Sequence, residues 1–287
     1  MPRLTLPDFR RQFGEVVGKK DRIVVVYSGI WTFGHRFGLP ISDIPRLLVE
    51  AMLEELGAEQ TLLLPSYTYG YTRTRRYSPE ASAPETGVLP AAMLKHFQYV
   101  RSHSALNSFL AIGPQAKELA EIKSATLWGE GSLKAHFQSQ HARMVVLGLP
   151  WKDACGFLHR IEEVCDVPYR YHKTFHGTWS DSAGEKPWSE TMFVRPLTLL
   201  PVFRWQMVDE LLRSRGGVRN STGEIFLESA DADDLVQAGI EILAEDKLAL
   251  LTNQDEVRSW IANEKSNEIA ELRRNEPQAL DYLNSRA

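Results

Sequence analysis

The chain has 287 residues, a formal net charge of −4 and 43% hydrophobic residues. This length permits a substantial core in one large α/β domain or two small ones. The mild charge gives no electrostatic footprint for nucleic acid, and no apolar run reaches the ~20 residues of a membrane-spanning helix, so we expect neither kind of partner. The two cysteines, Cys155 and Cys165, lack metal-binding spacing. With no signal-peptide pattern at the N-terminus, they favour a cytoplasmic protein without a metal site.

The first half of the chain alternates helical and strand patterns. Continuous apolar runs predict buried strands over 22–27, 61–65 and 143–149, and the second half of 99–113 has a similar pattern. Between the strands, the sequence predicts the helices 6–17, 43–56, 87–96, 114–122 and a short one from 132 to 137. This alternation predicts an α/β sheet with helices on both faces.

The second half is less regular. Residues 166–201 are irregular and rich in aromatic and basic side chains, with a short strand at 192–194. Helices are predicted over 202–213 and 230–244, with a strand at 224–227 between them. The tail from 253 reads as a charged helix that docks on the body or mediates a homodimer. We divide the chain into an α/β core, 1–165, and a C-terminal part, 166–287, that completes the fold, although composition marks no sharp boundary.

Two loops that follow predicted strands are candidates for ligand binding. The first begins Ser28-Gly29 and contains two more glycines, which lets backbone N–H groups approach an anion. It matches neither common phosphate-binding fingerprint, and taken alone such a loop is more often an ordinary strand–helix connection. The second loop, 66–79, is long and contains Tyr67 and Tyr69. Such rings suit a polar, ring-shaped ligand, although a mobile flap has the same composition.

His159 and Glu162 form the strongest catalytic candidate. They lie three residues apart on a predicted helix that follows the 143–149 strand, and so share one face of that helix. A carboxylate beside an imidazole fixes its tautomer and stabilises the imidazolium, as a general base requires. Open α/β sheets also place ligands at the carboxyl ends of their strands. The same spacing is common on solvated helix faces, so the pair alone does not establish catalysis.

Several motifs, taken in order, resemble the aminoglycoside 3-N-acetyltransferase family, also called the antibiotic N-acetyltransferase family. They cover roughly residues 20–175: Tyr27-Ser28-Gly29-Ile30, Leu62-Leu63-Leu64-Pro65-Ser66-Tyr67-Thr68, Gly87-Val88-Leu89-Pro90, Arg101-Ser102-His103-Ser104-Ala105-Leu106-Asn107-Ser108-Phe109, Gly129-Glu130-Gly131-Ser132-Leu133, Gly156-Phe157-Leu158-His159-Arg160-Ile161-Glu162 and Pro168-Tyr169-Arg170. The resemblance implies an α/β/α sandwich with a mixed central sheet and an irregular C-terminal subdomain. It further implies transfer of an acyl group, normally acetyl, from acetyl-CoA to an amine of an amino sugar.

The resemblance also assigns CoA binding and catalysis to the 1–165 core and the acceptor side to 166–287, and it implies roles for individual residues. His159 with Glu162 is the expected base. The residues expected to face the coenzyme are Ser28, Gly29, Ile30, Arg101, Ser102, Ser108, Phe109 and Ser132. On the acceptor side we expect Tyr67, Tyr69, Glu163 and Arg170.

The chain departs from the family pattern at three positions. Gly156 stands where the family has threonine, Tyr27 where it has histidine and Ser104 where it has proline. Gly156 leaves open a non-catalytic protein that binds CoA or a sugar, although His159 and Glu162 are both retained. Cys155 lies four residues before His159, one helical turn away, which leaves open an acyltransferase with Cys155 as nucleophile. The identity of the acceptor also stays open. The family resemblance includes polycationic aminoglycosides, whereas basic residues on the 66–79 and 166–201 segments favour an anionic, nucleotide-linked amino sugar.

Overall fold

The computed structural model describes residues 3–154 and 156–263. Its strands are Ile23–Ser28 (β1), Thr61–Pro65 (β2), Arg76–Tyr77 (β3), Val100–Arg101 (β4), Phe109–Ile112 (β5), Arg143–Leu147 (β6), Tyr171–Asp181 (β7), Gly184–Val194 (β8), Val218–Asn220 (β9) and Leu227–Asp231 (β10). Its α-helices are Leu6–Val16 (α1), Ile44–Leu56 (α2), Tyr71–Thr74 (α3), Val88–His96 (α4), Ala116–Glu121 (α5), Leu133–Ser139 (α6), Trp151–Ala154 (α7), Phe157–Val164 (α8), Gln206–Ser214 (α9), Ala232–Glu245 (α10) and Gln254–Ala262 (α11). Two 3₁₀ turns, Ile30–Thr32 and Gly34–Phe37, follow β1.

The central sheet has seven strands in the order β4-β5-β2-β1-β6-β10-β9. Strand β1 pairs in parallel with both β2 and β6, and the outer strands pair antiparallel. The sheet is therefore mixed, as predicted. Strands β9 and β10, from the C-terminal part of the chain, complete one side of it.

Strand β1 divides its side chains between two hydrophobic cores, one on each face of the sheet. Val24 and Val26 join the core that contains Phe9 and Leu48, from α1 and α2. Tyr27 and its alternate neighbours join the core beneath α5, α6, α8 and α10. Because successive strand residues point to opposite faces, a continuous apolar run serves both cores. The predicted α/β/α sandwich is confirmed.

The segment that the sequence marks as irregular forms a long hairpin. Strands β7 and β8 pair along their whole length, and β3 adds to β7 in parallel to make a second sheet of three strands. The interpretation of 166–201 as irregular, with a strand only at 192–194, is therefore wrong. Along β7 the buried residues are Tyr171, Phe175 and Trp179, so burial recurs every four residues and the alternation that signals a half-buried strand is missing.

Helix α8 carries the candidate pair and packs closely against α10. It follows β6 after the short helix α7, which begins at the residue after Pro150. Gly239 on α10 lies so close to Ile161 of α8 that a Cβ there would collide with the isoleucine side chain.

The strand predicted at 224–227 lies three to four residues later in the structure, as β10. It ends at Asp231, whose side chain caps the following helix, α10. No helix among the described residues is long and apolar enough to cross a membrane.

Candidate active site

The structure brings His159 and Glu162 together as the helical spacing predicts. The His159 Nδ1 atom lies 2.9 Å from Glu162 Oε2. The glutamate side chain is fully buried, whereas 34% of the histidine side chain is exposed. If Nδ1 carries the proton and donates it to the carboxylate, Nε2 is left unprotonated as the acceptor. The pair therefore has the arrangement of a general base with a carboxylate that orients it.

Arg170 completes this arrangement from the loop before β7. Its Nε lies 2.8 Å from the second oxygen of Glu162, and its Nη1 donates to the Phe193 carbonyl at 3.1 Å. The arginine side chain is only 6% exposed. Arg170 thus supports the carboxylate, and its predicted contact with the acceptor has no support from this placement.

Burial and charge set the ionisation of the pair. Burial lowers the pKa of His159 below its ordinary value, and Arg170 and Lys134 add to this effect while Glu162 opposes it. Burial disfavours the ionised form of Glu162, yet Arg170 and the His159 hydrogen bond outweigh it and hold the pKa of Glu162 below its usual range. The expected state at neutral pH is a neutral imidazole beside an ionised carboxylate, which suits proton abstraction.

Aromatic and cationic groups that the sequence did not single out surround the base. The Trp128 ring lies 4.6 Å from the His159 ring, centroid to centroid. Lys134 Nζ lies 5.3 Å from the Trp128 ring and donates to the Gly156 carbonyl at 2.9 Å. Trp128 and Lys134 stand in loop and helix segments far from His159 in sequence, and no spacing signal connects them to it.

Glu163, the neighbour of Glu162, forms a second carboxylate–histidine contact. Its Oε1 lies 3.0 Å from His172 Nε2 on β7 and accepts a hydrogen bond from Thr126 at 2.5 Å. The Glu163 side chain is 7% exposed. This contact ties α8 to the hairpin. The acceptor contact predicted for Glu163 stays a prediction.

The loop after β1 lies at the same sheet edge as the turn that leads to α8. The Gly29 N–H donates to the Leu147 carbonyl at 2.8 Å, and a Cβ on Gly29 would lie 2.7 Å from the Trp31 ring. A side chain at this position would have to displace Trp31, which is 74% exposed, and Leu149. Ser28 and Ile30 on either side are partly exposed. The predicted coenzyme loop and the predicted base thus come from neighbouring parallel strands.

Arg101, predicted to face the coenzyme, is enclosed by protein oxygens. Its five N–H donors are directed at five acceptors: Ser108 Oγ, Thr68 Oγ1 and the carbonyls of Pro79, Ser82 and Ser66. The residue is 7% exposed. No donor is left for a phosphate. Arg101 instead joins the 66–79 loop to the sheet, and we leave it out of the proposed coenzyme site.

Four other residues predicted to face the coenzyme are buried, and the side chains of three of them form hydrogen bonds within the protein. Ser102 and Ser132 accept backbone hydrogen bonds from Phe109 and Ala135. Ser108 donates to the Ser66 carbonyl. Each of Ser102, Ser108, Phe109 and Ser132 is at most 5% exposed. This placement argues against direct contact between these side chains and the coenzyme.

The two predicted acceptor tyrosines occupy different environments. Tyr67 is buried and its hydroxyl lies 3.2 Å from the Tyr27 hydroxyl. Tyr69 is 47% exposed, and its ring meets the Tyr67 ring edge-on at 5.9 Å. Only Tyr69 has a surface open to a ligand.

Cysteine and metal chemistry find no support among the described residues. Cys165 is buried, and burial raises the pKa of its thiol. Cys155, the alternative nucleophile, lies outside the described residues. Within residues 3–154 and 156–263, no group of three or more His, Cys, Asp or Glu side chains is placed to hold a metal ion.

Comparisons with known proteins agree with this architecture. A family model described as aminoglycoside 3-N-acetyltransferase matches residues 35–244. A comparison with curated proteins finds no match.

Solved structures show the same fold at low sequence identity. Apo aminoglycoside acetyltransferase AAC(3)-IVa is 20% identical, with a TM-score of 0.68, and the match covers 94% of this chain and 97% of that one. A histidine-to-alanine mutant of AAC(3)-IVa in complex with a gentamicin is 21% identical, with a TM-score of 0.70 and coverage of 89% and 94%. AAC-IIIb in a binary complex with CoASH is 19% identical, with a TM-score of 0.68 and coverage of 84% and 97%.

Proposed function

This chain belongs to the aminoglycoside 3-N-acetyltransferase family, as its motifs predict, and we propose that it transfers the acetyl group of acetyl-CoA to an amine of an aminoglycoside. The observation that carries the proposal is the buried contact of Glu162 with both His159 and Arg170. This arrangement leaves one nitrogen of the imidazole free to act as a base. A relative with CoASH bound and relatives with aminoglycosides bound support the choice of donor and acceptor.

The proposed mechanism assigns proton transfer to His159. An amine is protonated at neutral pH, and the nitrogen must lose a proton to attack a thioester. His159 Nε2 takes that proton from the bound ammonium group, and Glu162 stabilises the imidazolium. The neutral amine then attacks the thioester carbon; as the carbon–sulfur bond breaks, a second proton leaves the nitrogen and protonates the sulfur, which departs as the CoA thiol. General base catalysis of this kind contributes roughly 10²–10⁴-fold in rate.

The loop after β1 lies at the sheet edge beside the His159 helix, and its sequence motif makes it our candidate for the coenzyme site. Gly29 lets this loop pack closely, because an added Cβ would lie within 3.0 Å of both Trp31 and Leu149. We propose that the Ser28–Ile30 backbone binds the coenzyme arm. Acetyl-CoA supplies the activated acyl group, whereas this chain's residues supply orientation and the base.

An acceptor panel tests the activity. We expect CoA thiol release from acetyl-CoA to depend on an added aminoglycoside such as gentamicin, apramycin or sisomicin, with a monoacetylated product by mass spectrometry. A protein that binds CoA but releases no thiol with any amine would support the non-catalytic interpretation. An acyl group trapped on Cys155 would replace direct transfer by a covalent route.

A nucleotide-linked amino sugar is the second candidate acceptor. Arg75 and Lys173, from separate segments, both approach the Phe175 ring, with their charged groups 5.4 and 5.8 Å from its centroid. Two cations beside one ring favour an anionic ligand. If this candidate is correct, thiol release is faster with UDP-linked amino sugars than with aminoglycosides, and Arg75→Gln removes that preference. Equal rates for the wild-type protein and Arg75→Gln with the nucleotide sugar would exclude it.

A further inference from the structure

Lys134 is a buried lysine near His159 that has no role in the proton transfer described above. It is 1% exposed and lies in the first turn of α6. Both features disfavour an ammonium group, because burial removes its water and the positive end of the helix dipole repels it. A lysine maintained in such a position is a candidate for a functional role.

The ammonium group is fixed against the start of the His159 helix. Lys134 Nζ donates to the Gly156 carbonyl at 2.9 Å, and Gly156 is the N-cap of α8. No side chain caps that helix end. Two aromatic rings also contact the ammonium group: the rings of Trp128 and Tyr67 lie 5.3 and 5.7 Å from Nζ.

Gly156 gives the ammonium group its space. A Cβ at this position would lie 2.9 Å from Lys134 Nζ and 3.2 and 3.3 Å from the Tyr27 and Tyr67 hydroxyls. The Gly156 backbone is right-handed helical, with φ −65° and ψ −12°, so backbone conformation does not require glycine here. The polar cluster formed by Lys134, Tyr27 and Tyr67 therefore leaves little room for a side chain at Gly156.

We propose that Lys134 is a positioning residue for the acyl transfer: its ammonium group fixes the Gly156 turn that begins the His159 helix and places a positive charge beside the base. This inference rests on the proposed function. The charged groups that face His159 are Glu162 on its own helix, Arg170 before β7 and Lys134 on α6. Lys134 therefore helps to keep the imidazole neutral and ready to accept a proton.

Replacement of the charge by an apolar chain of similar length tests the proposal. In Lys134→Met, loss of the positive charge raises the pKa of His159, so the acidic limb of the kcat/KM profile moves to higher pH. We expect the His159 ring resonances, followed by NMR in the full chain without substrate, to titrate at correspondingly higher pH. Turnover falls by about 10- to 100-fold because the turn loses its anchor, with unchanged affinity for CoA. Lys152→Met, which removes an exposed lysine from α7, is the matched control. It leaves the acidic limb, the His159 titration, the turnover and the CoA affinity unchanged.

A second variant tests the geometry without removing the lysine. Gly156→Ala displaces the ammonium group, and we expect a loss of turnover that shrinks when Lys134 is already methionine. A folded Lys134→Met protein with wild-type turnover and an unshifted His159 titration overturns the inference, as does full additivity of the two substitutions. If the proposed function itself is wrong, the wild-type protein releases no CoA thiol. That result differs from the two outcomes that overturn the inference about Lys134.

Discussion

Glu162 is the residue on which the geometry of the site depends. Its two oxygens hold His159 and Arg170 in place, and it has no exposed surface. Glu162→Gln leaves the Arg170 charge buried without its counter-ion, so we expect a loss of about 3–5 kcal/mol in the free energy of unfolding. Denaturant unfolding measures this loss. Glu130→Gln breaks an ion pair whose glutamate is 86% exposed, and as a control it costs no more than about 1 kcal/mol. Equal losses in the free energy of unfolding for Glu162→Gln and Glu130→Gln would contradict the role of Glu162 as the buried counter-ion of Arg170.

The pH dependence of kcat/KM reports on the base directly. The imidazole accepts a proton only when it is neutral, so the rate falls as pH falls through the pKa of His159. Burial lowers that pKa, and the acidic limb should therefore lie below the ordinary histidine value of about 6.5. Measurement of kcat/KM for the acceptor, with saturating acetyl-CoA and across the acidic range, locates the limb. A limb above the ordinary value would contradict the description of the site.

Some of the site could be predicted from sequence and some could not. Spacing along one helix was sufficient for His159 and Glu162, because neighbours on a helix face meet whatever the rest of the chain does. Arg170 was identified, but its role was not, since its contact with Glu162 depends on how the chain turns after α8. Lys134 and Trp128 reach the base only through tertiary packing, which leaves no periodic signal in the sequence.

At the scale of elements, the β7–β8 hairpin is the main feature that sequence analysis missed. The strands of the central sheet are continuous apolar runs buried on both faces, and these were recognised. The hairpin has polar and aromatic residues with burial every fourth position along β7, a pattern without a strand period. The 66–79 loop also contains α3 and β3, whose pairing with β7 is a long-range contact.

The docking of β3 on β7 depends on Gly177. A Cβ there would collide with the Arg75 carbonyl and lie 2.6 Å from the Tyr71 hydroxyl. Gly177→Ala should therefore lower the free energy of unfolding by roughly 1–3 kcal/mol, as other overpacked sites do. Gly34→Ala is the control, because the nearest atom to its added Cβ is 3.9 Å away. Thermal unfolding of the two variants decides the point, and an unchanged midpoint for Gly177→Ala would show that β3 does not dock closely.

At the scale of the whole molecule, the central sheet places both halves of the chain around one site. The Gly29 loop and the His159 helix follow neighbouring parallel strands, while β10 pairs with β6 from the other side. The proposed division into 1–165 and 166–287 stays a prediction. So does the homodimer, whose predicted contact, the tail, falls largely outside the described residues.

The most direct test of the account is the turnover of His159→Ala with acetyl-CoA and its best aminoglycoside acceptor, measured beside its affinity for CoA. We predict a loss of about 10²–10⁴-fold in turnover with little change in CoA affinity, because the ring acts on the proton of the amine and not on the coenzyme. Near wild-type turnover in this variant would contradict the assignment of His159 as the general base.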